Sequence, residues 1–344
     1  MNSRERVITA LELKQPDRVP FVELLIDEKV RDAIEGKNIS LIDFIEKWDI
    51  DGIFVQPNYK NNYISDNIYI DEWGIKKKIL TEDYPVPVEG PIKEKADFNR
   101  YEPPDPGIDF RYGDLIEAVK RFKGKRAIIF KINDVLSLPR YLRGTQNFFI
   151  DVADDPDFVK KIVNFSVDYN IQLAKNAAKF GADIVCSSDD LCDNRGPLIS
   201  PYSFQTLFYP GFKKVVKNAK DFGLYFIKHT DGNVLPFMDL IIEAGCNGYD
   251  VIDLTANMSL SYFKKNFGKK ICLFGNVDIA NVLQNGTKDD VIKDVLRCLK
   301  EGAEGGSYII KSSSDVHRGT KPENLVTMME SIKKFGNYPI NLPK

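Results

Sequence analysis

The sequence predicts an α/β protein of the TIM (β/α)8 barrel type, with one helix before the barrel and an insertion in its first half. Three observations predict this fold class. Short apolar segments of β type alternate with longer segments of helical periodicity. Eight such apolar segments are present, which is the number of strands that closes a barrel. Each segment is followed at once by polar residues, as expected where a strand emerges at the barrel rim.

The predicted strands are apolar throughout, because parallel strands in a barrel are covered on both faces. In chain order they are residues 20–25, 52–55, 126–131, 183–187, 224–228, 248–252, 271–274 and 307–310. Since the carboxyl ends of parallel strands emerge at one end of a barrel, we expect the polar residues after them to meet there.

Helices are predicted between the strands. In residues 156–180 apolar side chains recur three and four positions apart, and Gly181 ends the helix. A second helix is predicted over 287–302. A third, over 322–334, begins with a proline, which suits a first helical turn because the N–H that it lacks has no partner there.

Residues 60–112 interrupt the alternation. The sequence NIYIDEWGIKKKIL, residues 67–80, is typical of a β-hairpin, and YPVPVEGPIKEKADFNRYEPPDPG, residues 84–107, of a proline-rich connection. We interpret this interval as an insertion that covers one mouth of the barrel, so the whole chain, residues 1–344, is predicted to be one domain.

Composition excludes several classes of function. The chain has 48 basic and 50 acidic side chains, and this near-zero balance argues against nucleic acid as a partner. Eighteen apolar residues never occur in a row, and the first 20 residues lack the apolar segment of a signal peptide. The five cysteines form no C-x-x-C pair, which favours free thiols. We therefore expect a cytoplasmic protein with no membrane partner.

The polar residues that follow the predicted strands would surround one imidazole with carboxylates. This predicted ring contains Asp27, Asn58, Asp134, Asp189, Asp190, His229, Asp231, Asp253, Asn276, Asp278 and Asp315. Asp and Asn after a strand also cap the next helix, so a position in the ring does not by itself assign a function.

Two clusters in the ring are more informative. Asp189 and Asp190 are adjacent carboxylates, which repel each other unless a cation or a hydrogen-bond donor offsets their charge; alternatively, one caps a helix and the other faces water. His229 ends a strand two residues before Asp231, and it could bind a metal, act as acid or base, or simply be held by a backbone bond. We predict His229, Asp231 and Asp190 as catalytic residues.

A third cluster, Lys311 to His317, follows the last predicted strand. Its hydroxyls and backbone amides could bind an anionic substrate group, or could form hydrogen bonds only with one another. The sequence does not assign His317 to the rim or to the outer surface. The predicted substrate-binding residues are Glu23, Asp27, Asn58, Asp189, Asn276, Asp278, Ser312 and Ser314.

Several segments resemble the uroporphyrinogen-decarboxylase-like superfamily. They are MNSRERVITALELKQPDRVP at 1–20, DEWG at 71–74, LISP at 198–201, HTDGN at 229–233, LFGNVD at 273–278 and GGSYIIKSSSDVHRGTKPEN at 305–324. They occur in order over nearly the full length, so the resemblance implies the barrel fold. It also implies one of two activities, tetrapyrrole decarboxylation or methyl transfer to or from a corrinoid protein.

The segment after the first predicted strand separates these activities. The decarboxylase carries R-Q-A-G-R-Y there, which binds the carboxylates of its substrate, whereas this chain has FVELLIDEKV with Glu23, Asp27 and Glu28. Because like charges repel a polycarboxylate, the resemblance favours the corrinoid-dependent methyltransferase branch. The alternatives are a metal-free carboxy-lyase that uses Asp and His as acid and base, and a non-catalytic binding protein.

Thiol-directed methyltransferases of this superfamily bind zinc through an H-x-C pair and a later cysteine. Here these positions are His229, Asp231 and a residue near Ser314, so zinc would be held by His229 and Asp231 together with Cys192, Asp190 or another rim carboxylate. Fewer thiolates make zinc a stronger Lewis acid, which suits an O- or N-methyl donor.

The partners implied by the resemblance are a small methyl donor or acceptor and a separate corrinoid protein. The sequence has no D-x-H-x-x-G segment with which to hold a corrinoid itself. A homodimer is compatible with the sequence.

Overall fold

The computed structural model describes residues 1–80 and 85–343. Its strands are β1 Gly52–Val55, β2 Asn61–Ser65, β3 Ile68–Asp71, β4 Lys76–Ile79, β5 Pro85–Glu89, β6 Ala127–Ile132, β7 Ile184–Ser188, β8 Cys192–Asp193, β9 Gly196–Pro197, β10 Tyr225–His229, β11 Gly248–Asp250, β12 Cys272–Phe274 and β13 Tyr308–Ile309. Seven of them form a curled parallel sheet in the order β1-β6-β7-β10-β11-β12-β13. All neighbours in it are parallel.

Helices connect these strands and cover the outer face of the sheet. The α-helices are Ser3–Leu11, Glu28–Glu35, Leu41–Lys47, Gly113–Phe122, Ser137–Arg143, Thr145–Asp154, Pro156–Phe180, Pro201–Ser203, Tyr209–Asp221, Met238–Glu243, Leu260–Phe267, Lys288–Gly302 and Pro322–Phe335. Short 3-10 helices span Lys95–Arg100, Asp109–Tyr112, Leu235–Phe237 and Leu254–Ala256, and π-helical turns span Phe204–Phe208 and Ile279–Gln284. The predicted helices 156–180, 287–302 and 322–334 are confirmed within one residue at each end.

Side chains of the central strands alternate between two hydrophobic layers. On β6, Ala127 and Ile129 face the inside of the curled sheet, whereas Ile128 and Phe130 pack against the outer helices. The helix Ser3–Leu11 packs Val7, Ala10 and Leu11 on the inner layer. This helix thus covers one end of the sheet, opposite to the carboxyl ends of the strands.

Seven of the eight predicted strands are present, and residues 20–25 differ from the prediction. Phe21 and Ile26 form only isolated parallel bridges, to Ile310 and Val316. Asp51 explains part of this difference, because its carboxylate Oδ2 accepts the Phe21 N–H at 2.8 Å in place of a backbone carbonyl. The Phe21 carbonyl nevertheless accepts the Asp51 N–H at 2.8 Å, so the segment contacts both edges of the parallel sheet.

The insertion contains more regular structure than the sequence predicts. The hairpin predicted over 67–80 is confirmed as β3 and β4, which belong to an antiparallel sheet of order β2-β3-β4-β5. The segment 84–107 is not only a connection, because it supplies strand Pro85–Glu89 and the 3-10 helix Lys95–Arg100. Its first residue, Tyr84, lies outside the described residues. Among the helices of the described ranges, none has the length and apolar character to cross a membrane.

Candidate metal centre and active site

His229 lies at the carboxyl end of β10 and faces the inside of the sheet. Its imidazole Nδ1 is 3.0 Å from Oδ2 of Asp250, its register partner on β11. Burial by itself would lower the pKa of His229, but the carboxylates of Asp250 and Asp231 outweigh this effect and raise it. With Nδ1 bonded to Asp250, the other ring nitrogen, Nε2, points to the polar residues beyond the strand.

Asp190, His229 and Asp231 meet at the carboxyl ends of β7 and β10. One ligand atom from each side chain lies within 4.8 Å of those of the other two. The Asp231 N–H donates to Oδ1 of Asp190 at 3.3 Å, and this bond links the two loops. The structure therefore brings together the three residues that the sequence predicts as catalytic.

The contacts of Asp231 fit the role of a cation ligand. Its Oδ1 is buried and has no hydrogen-bond partner among the described residues, and it lies 4.0 Å from Nε2 of His229. That separation is too long for a hydrogen bond, whereas two ligands of one zinc ion at about 2.1 Å each would stand ~3.4 Å apart at a tetrahedral angle. Burial raises the pKa of Asp231 to about 6, aided by Asp190 and opposed by His229.

The donor set suits zinc or another divalent cation of similar preference. One imidazole nitrogen and two carboxylate oxygens leave at least one coordination position open, as in catalytic zinc sites. The contact of Nδ1 with Asp250 is the arrangement that orients a metal-binding histidine. Cys192 does not join the cluster, and burial raises the pKa of its thiol to about 12. Of the third ligands considered from the sequence, the geometry favours Asp190 over Cys192.

Asp250 is also held from its other side. Lys311, which follows β13, places its Nζ 3.0 Å and 3.3 Å from the two carboxylate oxygens of Asp250, and both side chains are fully buried. Burial alone would raise the pKa of Asp250, but Lys311 and His229 lower it to about 2. Asp250 is therefore an ionised carboxylate fixed between a lysine and the imidazole.

Asp189 faces away from the cluster. Its Oδ2 accepts the N–H groups of Asp134 at 3.0 Å and of Leu136 at 2.7 Å, so it anchors the loop after β6. Nζ of Lys228 bonds to Oδ2 of Asp134 at 2.7 Å and to the Asp189 carbonyl at 2.8 Å. This buried ion pair lies between the sheet and its outer helices.

Glu23 and Ser312 bond to each other at the edge of the mouth. The carboxylate of Glu23 accepts the N–H of Ser312 at 2.8 Å and its hydroxyl at 2.6 Å, while the Ser312 hydroxyl also contacts the carbonyl of Ser314. Burial raises the pKa of Glu23 to about 7, although Lys311 and these bonds oppose the shift. The Ser312 hydroxyl is therefore used within the protein.

Four other predicted binding residues make contacts with loops and helices. Asp27 caps the helix Glu28–Glu35, and Asp278 caps the turn Ile279–Gln284. Asn58 donates to the carbonyl of Phe110, and Asn276 donates to that of Ile252.

Three further members of the predicted clusters lie in loops. Asp253 caps the 3-10 helix Leu254–Ala256 and accepts the Gly232 N–H at 3.0 Å, while Asp315 follows the Glu23–Ser312 pair. His317 accepts the N–H of Gly319 at 3.0 Å through Nδ1.

Asp250, the residue that orients His229, is not among the site residues predicted from the sequence. Asp250 lies inside the predicted strand 248–252, whereas the residues of the predicted ring follow their strands. The signal available was a carboxylate within an otherwise apolar strand, since a buried charge requires a partner.

Comparisons with known proteins agree with this fold. The family model described as "Uroporphyrinogen decarboxylase (URO-D)" matches residues 68–335. A "Methylated-thiol--coenzyme M methyltransferase" of Methanosarcina mazei is 22% identical over 64% of this chain and 57% of its own length. A "Methylcobamide:CoM methyltransferase" of Methanosarcina acetivorans is 24% identical over 65% of this chain and 64% of its own length.

The matches thus span less than two thirds of either methyltransferase. A "Uroporphyrinogen decarboxylase" of Methylobacillus flagellatus is 23% identical over 70% of this chain and 69% of its own length. Among solved structures, a "methyltransferase from Methanosarcina mazei" superposes with a TM-score of 0.78 at 16% identity, covering 97% of this chain and 99% of that chain. At such identity, the likeness shows the fold.

Proposed function

The chain belongs to the uroporphyrinogen decarboxylase (URO-D) family, and from that premise we propose that it is a corrinoid-dependent methyltransferase. It would move a methyl group between a small O- or N-methylated compound, or a thiol, and a corrinoid carried by a separate protein. The observation that carries the proposal is the convergence of Asp190, His229 and Asp231 within 4.8 Å at the carboxyl ends of two neighbouring strands. The names of two methyltransferase relatives support it.

In this proposal the three side chains hold one zinc ion. When bound, zinc supplies Lewis acidity to the oxygen or nitrogen atom that carries the methyl group. Asp250 orients the imidazole through Nδ1, and Lys311 keeps Asp250 in place. The backbone bond from Asp231 to Asp190 fixes the distance between the two loops that supply the carboxylates.

The choice of an O- or N-methyl substrate over a thiol follows from the ligands. Thiolate ligands make zinc softer and suit thiolate substrates, whereas carboxylates and imidazole suit harder donors. All five cysteines are buried, and none joins the cluster. The coenzyme M named for the relatives is therefore not the acceptor that we propose for this chain.

We also propose that the parallel sheet closes into an eight-stranded barrel. Residues 20–22 bond to Ile310 on one side and to Asp51 on the other, which supports an eighth strand between β13 and β1. We treat residues 1–344 as one such barrel domain, with the insertion at about 60–112. The corrinoid of the partner protein would then reach the metal from the open mouth.

Decarboxylation is the second candidate, because a uroporphyrinogen decarboxylase is among the relatives. His229 and Asp231 could exchange a proton without a metal. The acidic residues Glu23, Asp27 and Glu28 weigh against a polycarboxylate, and Glu23 is already bonded to Ser312. Carbon dioxide release from a tetrapyrrole by metal-free protein would favour this candidate.

The experiment combines metal analysis with methyl transfer. Purified protein is assayed with O- and N-methyl compounds and cob(I)alamin, and methylcobalamin formation is followed by absorbance. We expect about one zinc ion per chain, and a loss of at least about 100-fold in activity, with loss of zinc, in His229→Ala. His317→Ala is the matched control, because His317 is the only other histidine. Full activity in His229→Ala would contradict the proposal.

A further inference from the structure

Lys131 is a cation inside the sheet without a counterion. It is half-buried on β6, two positions after Ile129, so strand alternation places its side chain on the inner face with Ala127 and Ile129. Among the described residues, its ammonium group makes no hydrogen bond and no ion pair. Such a lysine is uncommon, because a partly desolvated charge is normally paired.

The surroundings of Cys186 place Lys131 near the candidate metal centre. Cys186 is the register partner of Lys131 on β7 and is fully buried on the inner face. On the other side of β7, Cys186 is the register partner of Ile227 on β10, two residues before His229. Lys131 and His229 therefore lie on the inner face of the sheet, on the two strands that flank β7.

The two other lysines of this region are already neutralised. Lys311 bonds to both carboxylate oxygens of Asp250, and Lys228 faces the outer layer, where it bonds to Asp134. Lys131 thus carries a positive charge that is not paired with any acidic group among the described residues.

Ser188 provides a second unused polar group on the inner face. It is the register partner of His229, and it lies two positions after Cys186 on β7. Its hydroxyl oxygen is buried and has no hydrogen-bond partner among the described residues. A buried hydroxyl without a partner is destabilising, and a ligand that bonds to it would remove this cost.

We propose that Lys131 and the Ser188 hydroxyl bind a carboxylate, or a similar oxyanion, on the small substrate of the methyl-transfer site. The inference rests on the proposed function and narrows its substrate class to anions. β7 separates β6 from β10, and Lys131 is level with Ile227, two residues before His229. At about 4.8 Å per strand and about 3.3 Å per residue, the backbones of Lys131 and His229 lie roughly 12 Å apart. An anionic group at Lys131 would thus leave the methyl-bearing atom of a small molecule near Asp190, His229 and Asp231.

Binding of matched pairs of anionic and neutral compounds tests this inference. The probes are methoxyacetate against methoxyacetamide and 4-methoxybenzoate against 4-methoxybenzamide, titrated into the full-length protein by ligand-observed NMR. Chelator is present throughout, so a carboxylate cannot be captured by metal. Because no methyl transfer is measured, the result is independent of whether the proposed reaction takes place.

We expect at least one anion to bind about tenfold or more tightly than its amide. This preference should be lost in Lys131→Gln, be reduced in Ser188→Ala and persist in Lys131→Arg, while the amides bind all variants alike. Circular dichroism and thermal unfolding establish that each variant is folded. Equal binding of anion and amide, a preference that survives in Lys131→Gln, or no binding of any probe would overturn the inference.

Discussion

His229 and Asp250 are register partners on neighbouring parallel strands, and their side chains bond across the strand pair at 3.0 Å. This bond occupies Nδ1 and directs Nε2 to the carboxylates of Asp190 and Asp231. The strand pairing itself therefore sets the orientation of the imidazole, and the loops after β7 and β10 supply the two carboxylates that face it.

The first prediction concerns Asp250. Asp250→Asn should weaken zinc affinity about 10–100-fold, because an amide orients and polarises the imidazole less well than a carboxylate. Competition with a zinc chelator measures the affinity. Asp278→Asn is the matched control, since Asp278 caps a turn away from the imidazole.

Asp250→Asn also leaves Lys311 buried without its counterion, so the protein could lose stability. The double variant Asp250→Asn/Lys311→Met removes that charge and should recover stability without recovering zinc affinity. Wild-type affinity in a folded Asp250→Asn variant would show that the bond does not position the histidine.

The second prediction concerns the buried ion pair of Lys228 and Asp134. Lys228→Met should lower the free energy of unfolding by about 3–5 kcal/mol, because Asp134 would remain buried and unpaired. Urea denaturation measures the change. Lys217→Met is the control, since Lys217 and Asp221 form an exposed pair and the expected loss is at most about 1 kcal/mol. Equal losses of unfolding free energy in Lys228→Met and Lys217→Met would show that the buried ion pair does not stabilise the fold.

The third prediction concerns pH. Burial raises the pKa of Glu23 to about 7 from an ordinary value of 4.5, so the folded protein holds this proton more tightly than the unfolded chain does. The corresponding stability is present below pH 4.5 and is lost as the pH rises to about 7. Glu23→Gln should therefore gain about 2–3 kcal/mol relative to wild type between pH 5 and pH 8.

Urea denaturation of both proteins at the two pH values checks this expectation. Groups that titrate in both proteins cancel in the difference between their free energies of unfolding. The pH dependence that remains is due to Glu23. A difference that does not change with pH would show that Glu23 titrates in its ordinary range.

The sequence predicts the strands and the meeting of Asp190, His229 and Asp231 because these depend on local pattern and on where parallel strands end. It does not predict contacts set by strand register. Lys131 and Lys228 both end predicted strands, yet Lys131 faces inward and Lys228 outward, because their positions differ in phase along the strands. The contact of Asp250 with His229 likewise depends on the register of β10 and β11.

The central claim is that Asp190, His229 and Asp231 bind one zinc ion without sulfur ligands. Zinc-edge X-ray absorption of the zinc-loaded protein tests it most directly, since Zn–S bonds of about 2.3 Å differ clearly from Zn–N and Zn–O bonds of about 2.0–2.2 Å. We predict one imidazole, oxygen ligands and no sulfur, with the imidazole signal lost in His229→Ala. A sulfur shell, or an imidazole signal that persists in that variant, would contradict the account.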